Sequence, residues 1–224
     1  AIGIRARAPR LAYQVRRKKN WGIGIGLKQS LVLKAGNATG VWHMDVNPTD
    51  SNDVLASTSD GLRRTQDGGY SWPLVLTGAS RSERENNHVA RHPKDPNRVY
   101  AGTLRGLKLS TNGGETWSKV IARLVVTNFI RWISFDRRRD KVMLVGTAYG
   151  LMRSDDWGES FKFSFRSPWP KLNHVRQAEF DPNVPNRIWL ATQDGFLRSD
   201  DDGKTFERSG GVLFTGQFIV RFAF

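Results

Sequence analysis

The chain has no cysteine among its 224 residues, which excludes a disulfide framework and any zinc site built on thiolates. That absence leaves the redox compartment open. No apolar run approaches the roughly 18 residues of a membrane-spanning helix, and WGIGIGLKQSLVL is interrupted by Lys28 and Gln29. Helical periodicity is not sustained over three turns anywhere, so the chain reads as all-β.

Catalytic signatures are missing as well. There is no Gly-x-Ser-x-Gly nucleophile elbow. GIGIG (Gly22 to Gly26) lacks the spacing and the following helix of a dinucleotide site. DGKT (Asp202 to Thr205) resembles the end of a phosphate-binding loop, but Arg198 stands where the earlier glycine is required. As a calcium loop it fails at Arg198 and Ser209, the first and last ligand positions. No cofactor is expected.

What the chain does have is a repeat. GLRRTQDGGYSW, GLKLSTNGGETW, GLMRSDDWGESF and GFLRSDDDGKTF begin at Gly61, Gly106, Gly150 and Gly195. The hydroxyl residues opening the four turns, Thr65, Ser110, Ser154 and Ser199, are 45, 44 and 45 residues apart, a fixed period that defines a repeat architecture. Before each turn comes a β-rich run ending in a small residue and Thr or Ser, before that a Pro/Asp/Asn corner, and before that another short apolar run. With the segment after each aromatic, the unit has four short strands.

Four-stranded units of this length describe the blades of a β-propeller. The Gly-His and Trp-Asp pairs of WD40 repeats are absent from the unit ends. The turn, S-x-D/N-x-G-x-T-W/F, resembles the Asp-box or bacterial neuraminidase repeat of sialidases, sortilin-type receptor domains, xyloglucan-active glycosidases and photosystem II assembly-factor-like propellers. In physical terms, Asp67, Asn112, Asp156 and Asp202 are expected to accept backbone N–H bonds of their own turns. Gly69, Gly114, Gly158 and Gly203 supply positive φ. Trp72, Trp117, Phe161 and Phe206 plug the gap to a neighbouring blade, each burying about 150–250 Å². These are structural roles.

Blades are expected at about residues 41–84, 85–128, 129–172 and 173–216 of a single domain. YQVRRKKNWG (Tyr13 to Gly22) resembles YGLMRSDDWG (Tyr149 to Gly158), so residues 1–40 read as a degenerate blade. FIVRF in the tail matches FIRWI, so residues 217–224 supply its missing strand and the ring closes as five blades through a shared N- and C-terminal blade. The rival reading is a piece of a longer propeller of six or more blades.

Charge is the strongest feature outside the repeats, with 35 Lys and Arg against 21 acids and a net +14. The first 44 residues carry nine Lys or Arg and no acid. Such a field suits an acidic protein or polyanionic glycan, with attraction weakened by salt, and nucleic acid ranks behind both. Register sharpens this. One column of first-strand positions reads Trp42, Asn87, Arg131, Arg176, Arg221 and the next reads His43, His88, Trp132, Gln177, Phe222. Strand side chains alternate, so only one column is expected to face the central channel. With the arginines inward, three guanidiniums make an anion site; facing between blades, they need acids such as Asp45 and Glu179. His43 and His88 have no matched carboxylate for a metal.

The resulting expectation is a non-catalytic binding or assembly module. Its partner-binding candidates are Arg131, Arg176, Arg221, His43 and His88, with Arg16, Arg17, Lys18 and Lys19 on the first blade. The resemblance also implies a secreted or periplasmic protein and, as the alternative, a glycoside hydrolase or a fragment of one. Against hydrolysis, the Arg-Ile-Pro signature of sialidases is absent, and Tyr13, Tyr70, Tyr100 and Tyr149 map to outer or turn positions. Asp45 and Glu179 are a thin basis for a catalytic pair.

Overall fold

The computed structural model describes residues 40–120, 129–166, 174–193, 195–209, 219 and 221–224, together with the backbone of 13–17 and 21–25. Four antiparallel four-stranded sheets follow one another along the chain. The first comprises β3 (Val41–Asn47), β4 (Asp50–Thr58), β5 (Gly61–Thr65) and β6 (Leu74–Leu76). The second comprises β7 (Asn86–His92), β8 (Asp95–Thr103), β9 (Gly106–Ser110) and β10 (Ser118–Lys119). β11 (Ile130–Phe135), β12 (Met143–Thr147), β13 (Gly150–Ser154) and β14 (Lys162–Phe165) form the third. The fourth is β15 (Val175–Phe180), β16 (Ile188–Thr192), β17 (Gly195–Ser199) and β18 (Glu207–Arg208). One helical turn, α1 (Arg81–Arg84), precedes the second sheet. β1 (Tyr13–Arg17) and β2 (Trp21–Ile25) pair as a separate hairpin. The first strands lie side by side, β3 against β7, β7 against β11 and β11 against β15, which is the arrangement of propeller blades.

Each sheet is fixed at both ends by a hydroxyl. At one end the second strand closes on Thr58, Thr103, Thr147 or Thr192, whose Oγ1 donates to the carbonyl of Gly61, Gly106, Gly150 or Gly195 at 2.7–2.9 Å. At the other end the Asp-box closes. The backbone N–H of Gly69, Gly114, Gly158 and Gly203 donates to Thr65, Ser110, Ser154 and Ser199, at 2.8 Å in every copy. Those four glycines have φ between 82° and 100°, a region that disfavours any side chain.

One box residue needs correction. The acceptor of the fourth turn is Asp201, not Asp202: Asp201 Oδ1 receives the Ser199 hydroxyl at 2.8 Å and the Thr205 N–H at 2.9 Å. Asp67, Asn112 and Asp156 occupy the same place, two residues after the hydroxyl. Asp202 instead turns toward the third sheet and pairs with Arg139 and Arg153 at 2.7 and 2.8 Å.

Three of the four box aromatics do plug a seam between sheets. Trp117 joins Leu55, Leu62 and Val89, Phe161 joins Tyr100 and Leu107, and Phe206 packs on Leu144, Leu151 and Leu190. Trp72 differs, for it packs on Val54, Ala56 and Met44 of its own sheet.

Charge also crosses the seams. Asp53 is 4% exposed and lies between Arg64 of its own sheet at 2.8 Å and Arg91 of the next at 2.9 Å. Burial alone would raise the Asp53 pKa, but hydrogen bonds from Arg64 and Asn47 and the charge of Arg91 outweigh it and hold the carboxyl below its ordinary value. Removing that carboxylate strands the buried Arg64 guanidinium and leaves Arg91 only Asp45. Asp53→Asn is therefore expected to cost about 3–5 kcal/mol, read as a lower urea midpoint with the far-ultraviolet spectrum of the native state retained in water. A loss below about 1 kcal/mol would mean that the pair is only a surface contact.

Candidate functional site

The first strands carry the same irregularity in all four sheets. Pairing passes from Val41↔Thr58 to His43↔Ser57, from Asn86↔Thr103 to His88↔Gly102, from Ile130↔Thr147 to Trp132↔Gly146, and from Val175↔Thr192 to Gln177↔Ala191. Trp42, Asn87, Arg131 and Arg176 are thus the extra residues of four β-bulges at one level. A bulge interrupts strict alternation and re-aims its side chain. This is why two columns, rather than one, converge near the axis.

The bulged column is the more exposed. It lies at the end where β4 meets β5, since Val41 pairs with Thr58, and the Asp-boxes lie at the opposite end. Trp42 is 45% exposed, and so is Tyr149 in the β12–β13 turn at the same end. Asn87 Nδ2 donates to the Ile130 carbonyl of the next sheet at 2.9 Å. Arg221 of the tail donates from Nη2 to the Trp42 carbonyl at 2.9 Å and lies over the Trp132 ring, 5.3 Å from its centroid. Burial, and then the neighbouring charge of Arg176, disfavour the charged form of Arg131. His174, just before β15, is lowered by burial and by the charges of Arg131 and Arg176. Among the described residues no carboxylate forms an ion pair with Arg131 or Arg221.

The second column is covered and touches across sheets. His43 stacks on His88 with ring centroids 3.8 Å apart, His88 lies 4.1 Å from Trp132, and His43 meets Trp132 edge-on at 5.6 Å. Mutual contact of residues from three successive sheets marks the point where the first strands converge. Gln177 takes a different task, holding the tail through two bonds to Phe222, Nε2 to its carbonyl at 3.1 Å and Oε1 from its N–H at 2.9 Å.

Asp45 and Glu179 do not neutralise the arginine column. Asp45 sits 3.1 Å from Arg91 Nε, across the first seam, with burial raising its pKa to about 6 and Arg91 opposing. Glu179 accepts the Trp132 indole N–H at 2.8 Å, across the third seam, and burial pushes it up to about 7 against the bonds from Trp132 and Gln177. The two carboxylates serve different seams. Of the basic cluster on the first blade, Lys18 and Lys19 lie outside the described residues, as do the side chains of Arg16 and Arg17. No group of three or more His, Asp or Glu among the described residues is placed to hold a metal ion, and none of their helices is long and apolar enough to cross a membrane.

The architecture is that of a β-propeller with Asp-box turns at one end and the bulged column of Trp42, Asn87, Arg131 and Arg176 at the other. No family model and no curated protein matches the chain. Solved structures do match, and they are propellers. An ancestral GH74 enzyme is 24% identical with a TM-score of 0.66, covering 77% of this chain and 24% of its own. The extracellular domain of the hybrid two-component system BT4673 from B. thetaiotaomicron is 15% identical with a TM-score of 0.71, covering 97% and 29%. YCF48 bound to D1 peptide is 11% identical with a TM-score of 0.58, covering 90% and 65%. The chain therefore spans from about a quarter to under two thirds of these neighbours. The likeness establishes the fold and agrees with the Asp-box propeller resemblance of the turns.

Glu179 generates a pH signature. Its folded pKa of about 7 lies above the ordinary 4.5, so the folded state holds this proton more tightly than the unfolded state. Its contribution is most favourable at low pH and is lost as pH rises from about 4.5 to about 7. Glu179→Gln keeps an acceptor for Trp132 and removes the titration. The variant is expected to gain about 2–3 kcal/mol on the wild type between pH 4 and pH 8, by urea unfolding at each pH. A constant difference would show that folding leaves the pKa of Glu179 unshifted.

Proposed function

We propose that this chain is a non-catalytic binding or assembly module that presents its basic mouth to an acidic protein or polyanion. One observation carries the reading: bulges at the same level set Arg131 and Arg176 beside one another, Arg221 of the tail reaches Trp42 of the same bulged column, and among the described residues no carboxylate pairs with Arg131 or Arg221. Seams elsewhere pair arginine with aspartate, as at Asp53 and Asp202. Like charge held half-buried, as at Arg131 beside Arg176, is relieved by an anion from outside. The net +14 of the chain adds long-range attraction.

The neighbours support a binding role in two ways, since YCF48 was solved with a peptide bound and the BT4673 domain is extracellular. The second also supports a secreted or periplasmic location. Closure as five blades fits the tail, because Phe222 is bonded to β15 while Arg221 reaches the Trp42 carbonyl in β3. Glycoside hydrolysis would draw on Asp45 and Glu179, and their engagement in separate seams weighs against it.

The test is binding of hexaglutamate and of oligogalacturonate, by calorimetry at low and high salt. Wild type is expected to bind at least one of them at low salt and lose it at high salt. An Arg131→Glu, Arg176→Glu, Arg221→Glu variant should weaken that binding more than about tenfold. Binding that the variant retains, or the absence of any binding by wild type, would overturn the reading.

A further inference from the structure

The stacked histidines beside the mouth are not explained by packing alone. His88 is 2% exposed, and neither of its ring nitrogens has a hydrogen-bond partner; His43 Nδ1 is likewise buried and unpartnered. Three bare ring nitrogens at one point, where strands of successive sheets converge, are costly without a ligand to meet them. His43 uses its other nitrogen, donating to the Val89 carbonyl, so Nδ1 is the lone-pair side of the neutral ring. Burial, then the charge of Arg221, keeps His43 neutral with a pKa of about 4. Burial, then His43 and Arg221, hold His88 well below its ordinary value.

The charged and titratable groups around this pair are few, and the nearest along β3, Asp45, is taken up by Arg91 of β7 and keeps its own titration in His43→Gln. Arg221 lies on the Trp132 ring that both histidines touch, and Glu179 accepts the N–H of that same indole. Arg131, Arg176 and His174 form a separate group at the rim. A carboxylate suits the inner position. Its two oxygens match the guanidinium edge of Arg221, and its charge opposes the field that now deprotonates the imidazoles.

We infer that the mouth admits a carboxylate past its arginines to the His43–His88 pair, and that each carboxylate bound draws a proton onto that pair. The inference rests on the mouth being a binding site and adds what it binds and how. The proton comes from solvent onto His43 Nδ1, which becomes an N–H donor to one carboxylate oxygen. No other bond is made or broken. Only one ring of the stack charges, because two imidazolium ions at this separation repel.

The experiment uses acetate as the probe, with the whole chain, in buffers of different ionisation enthalpy. Near pH 6, wild type is expected to take up about one proton per acetate, and affinity should fall with each rise in pH above that. His43→Gln should bind weakly and take up none, while His174→Gln, altered only at the rim, should retain both. Should the histidine variants not fold, the carbon-13 ring shifts of wild type settle the matter, since acetate should raise the pKa of His43. Binding without proton uptake overturns the inference, as does uptake that survives in His43→Gln and disappears in His174→Gln. If acetate fails to bind while hexaglutamate still binds in a salt-sensitive way, the carboxylate stops at the rim and only this inference falls. If neither probe nor oligogalacturonate binds, the module reading falls with it.

Discussion

The hydroxyl-to-glycine bond that closes each Asp-box is the constraint on which the rest of this structure depends. A propeller has no continuous core, so neighbouring sheets must be superposable before their faces can fit. Identical bonds at 2.8 Å in all four turns make them so. The threonine-to-glycine bonds at the opposite end fix the second reference point. Between two fixed ends a strand with one residue too many must place it somewhere, and here every first strand places it at the same step. The bulges of all four first strands lie at the end of the sheets opposite the Asp-boxes.

The seams show how a chain of this charge stays folded. Asp53 binds Arg64 and Arg91 from two sheets, and Asp202 binds Arg139 and Arg153 from one sheet while belonging to another. Each acid is shared by two arginines, which spreads a limited number of carboxylates over an excess of guanidiniums. That arrangement has a cost as well as a use. A shared carboxylate joins two sheets by a strong, directional contact, yet its loss weakens the pairing of two arginines at once.

Much of the fold was legible because a repeat states the same fact four times. The period, the hydroxyls, the glycines and the aromatics could be read off the chain, and the structure has them as sheets with closed turns. Asp202 stands in a run of three aspartates, Asp200 to Asp202, any of which has the short acceptor side chain the turn needs. Spacing of two from the hydroxyl, visible in Thr65 and Asp67, would have selected Asp201. Trp72 departs from the other aromatics for a reason that no single turn contains, since its seam faces away from the other three described sheets. The bulges were illegible in kind. A strand with one extra residue has no distinctive composition, so strict alternation predicted one inward column where two converge.

The site itself was half legible for the same reason. The arginines and histidines were recognised as columns, but not that His43, His88 and Trp132 would meet, because meeting requires the axis and not the strand. That meeting changes the electrostatics. Side by side on separate strands, two histidines would titrate near their ordinary value. Stacked at 3.8 Å and overlooked by Arg221, they are kept neutral. The guanidiniums and the imidazoles are therefore opposed rather than redundant: the cations that attract an anion also suppress the protons that would help to hold it. An arriving negative charge would reverse both effects together, and under the proposed reading its binding and the protonation of the pair belong to one equilibrium.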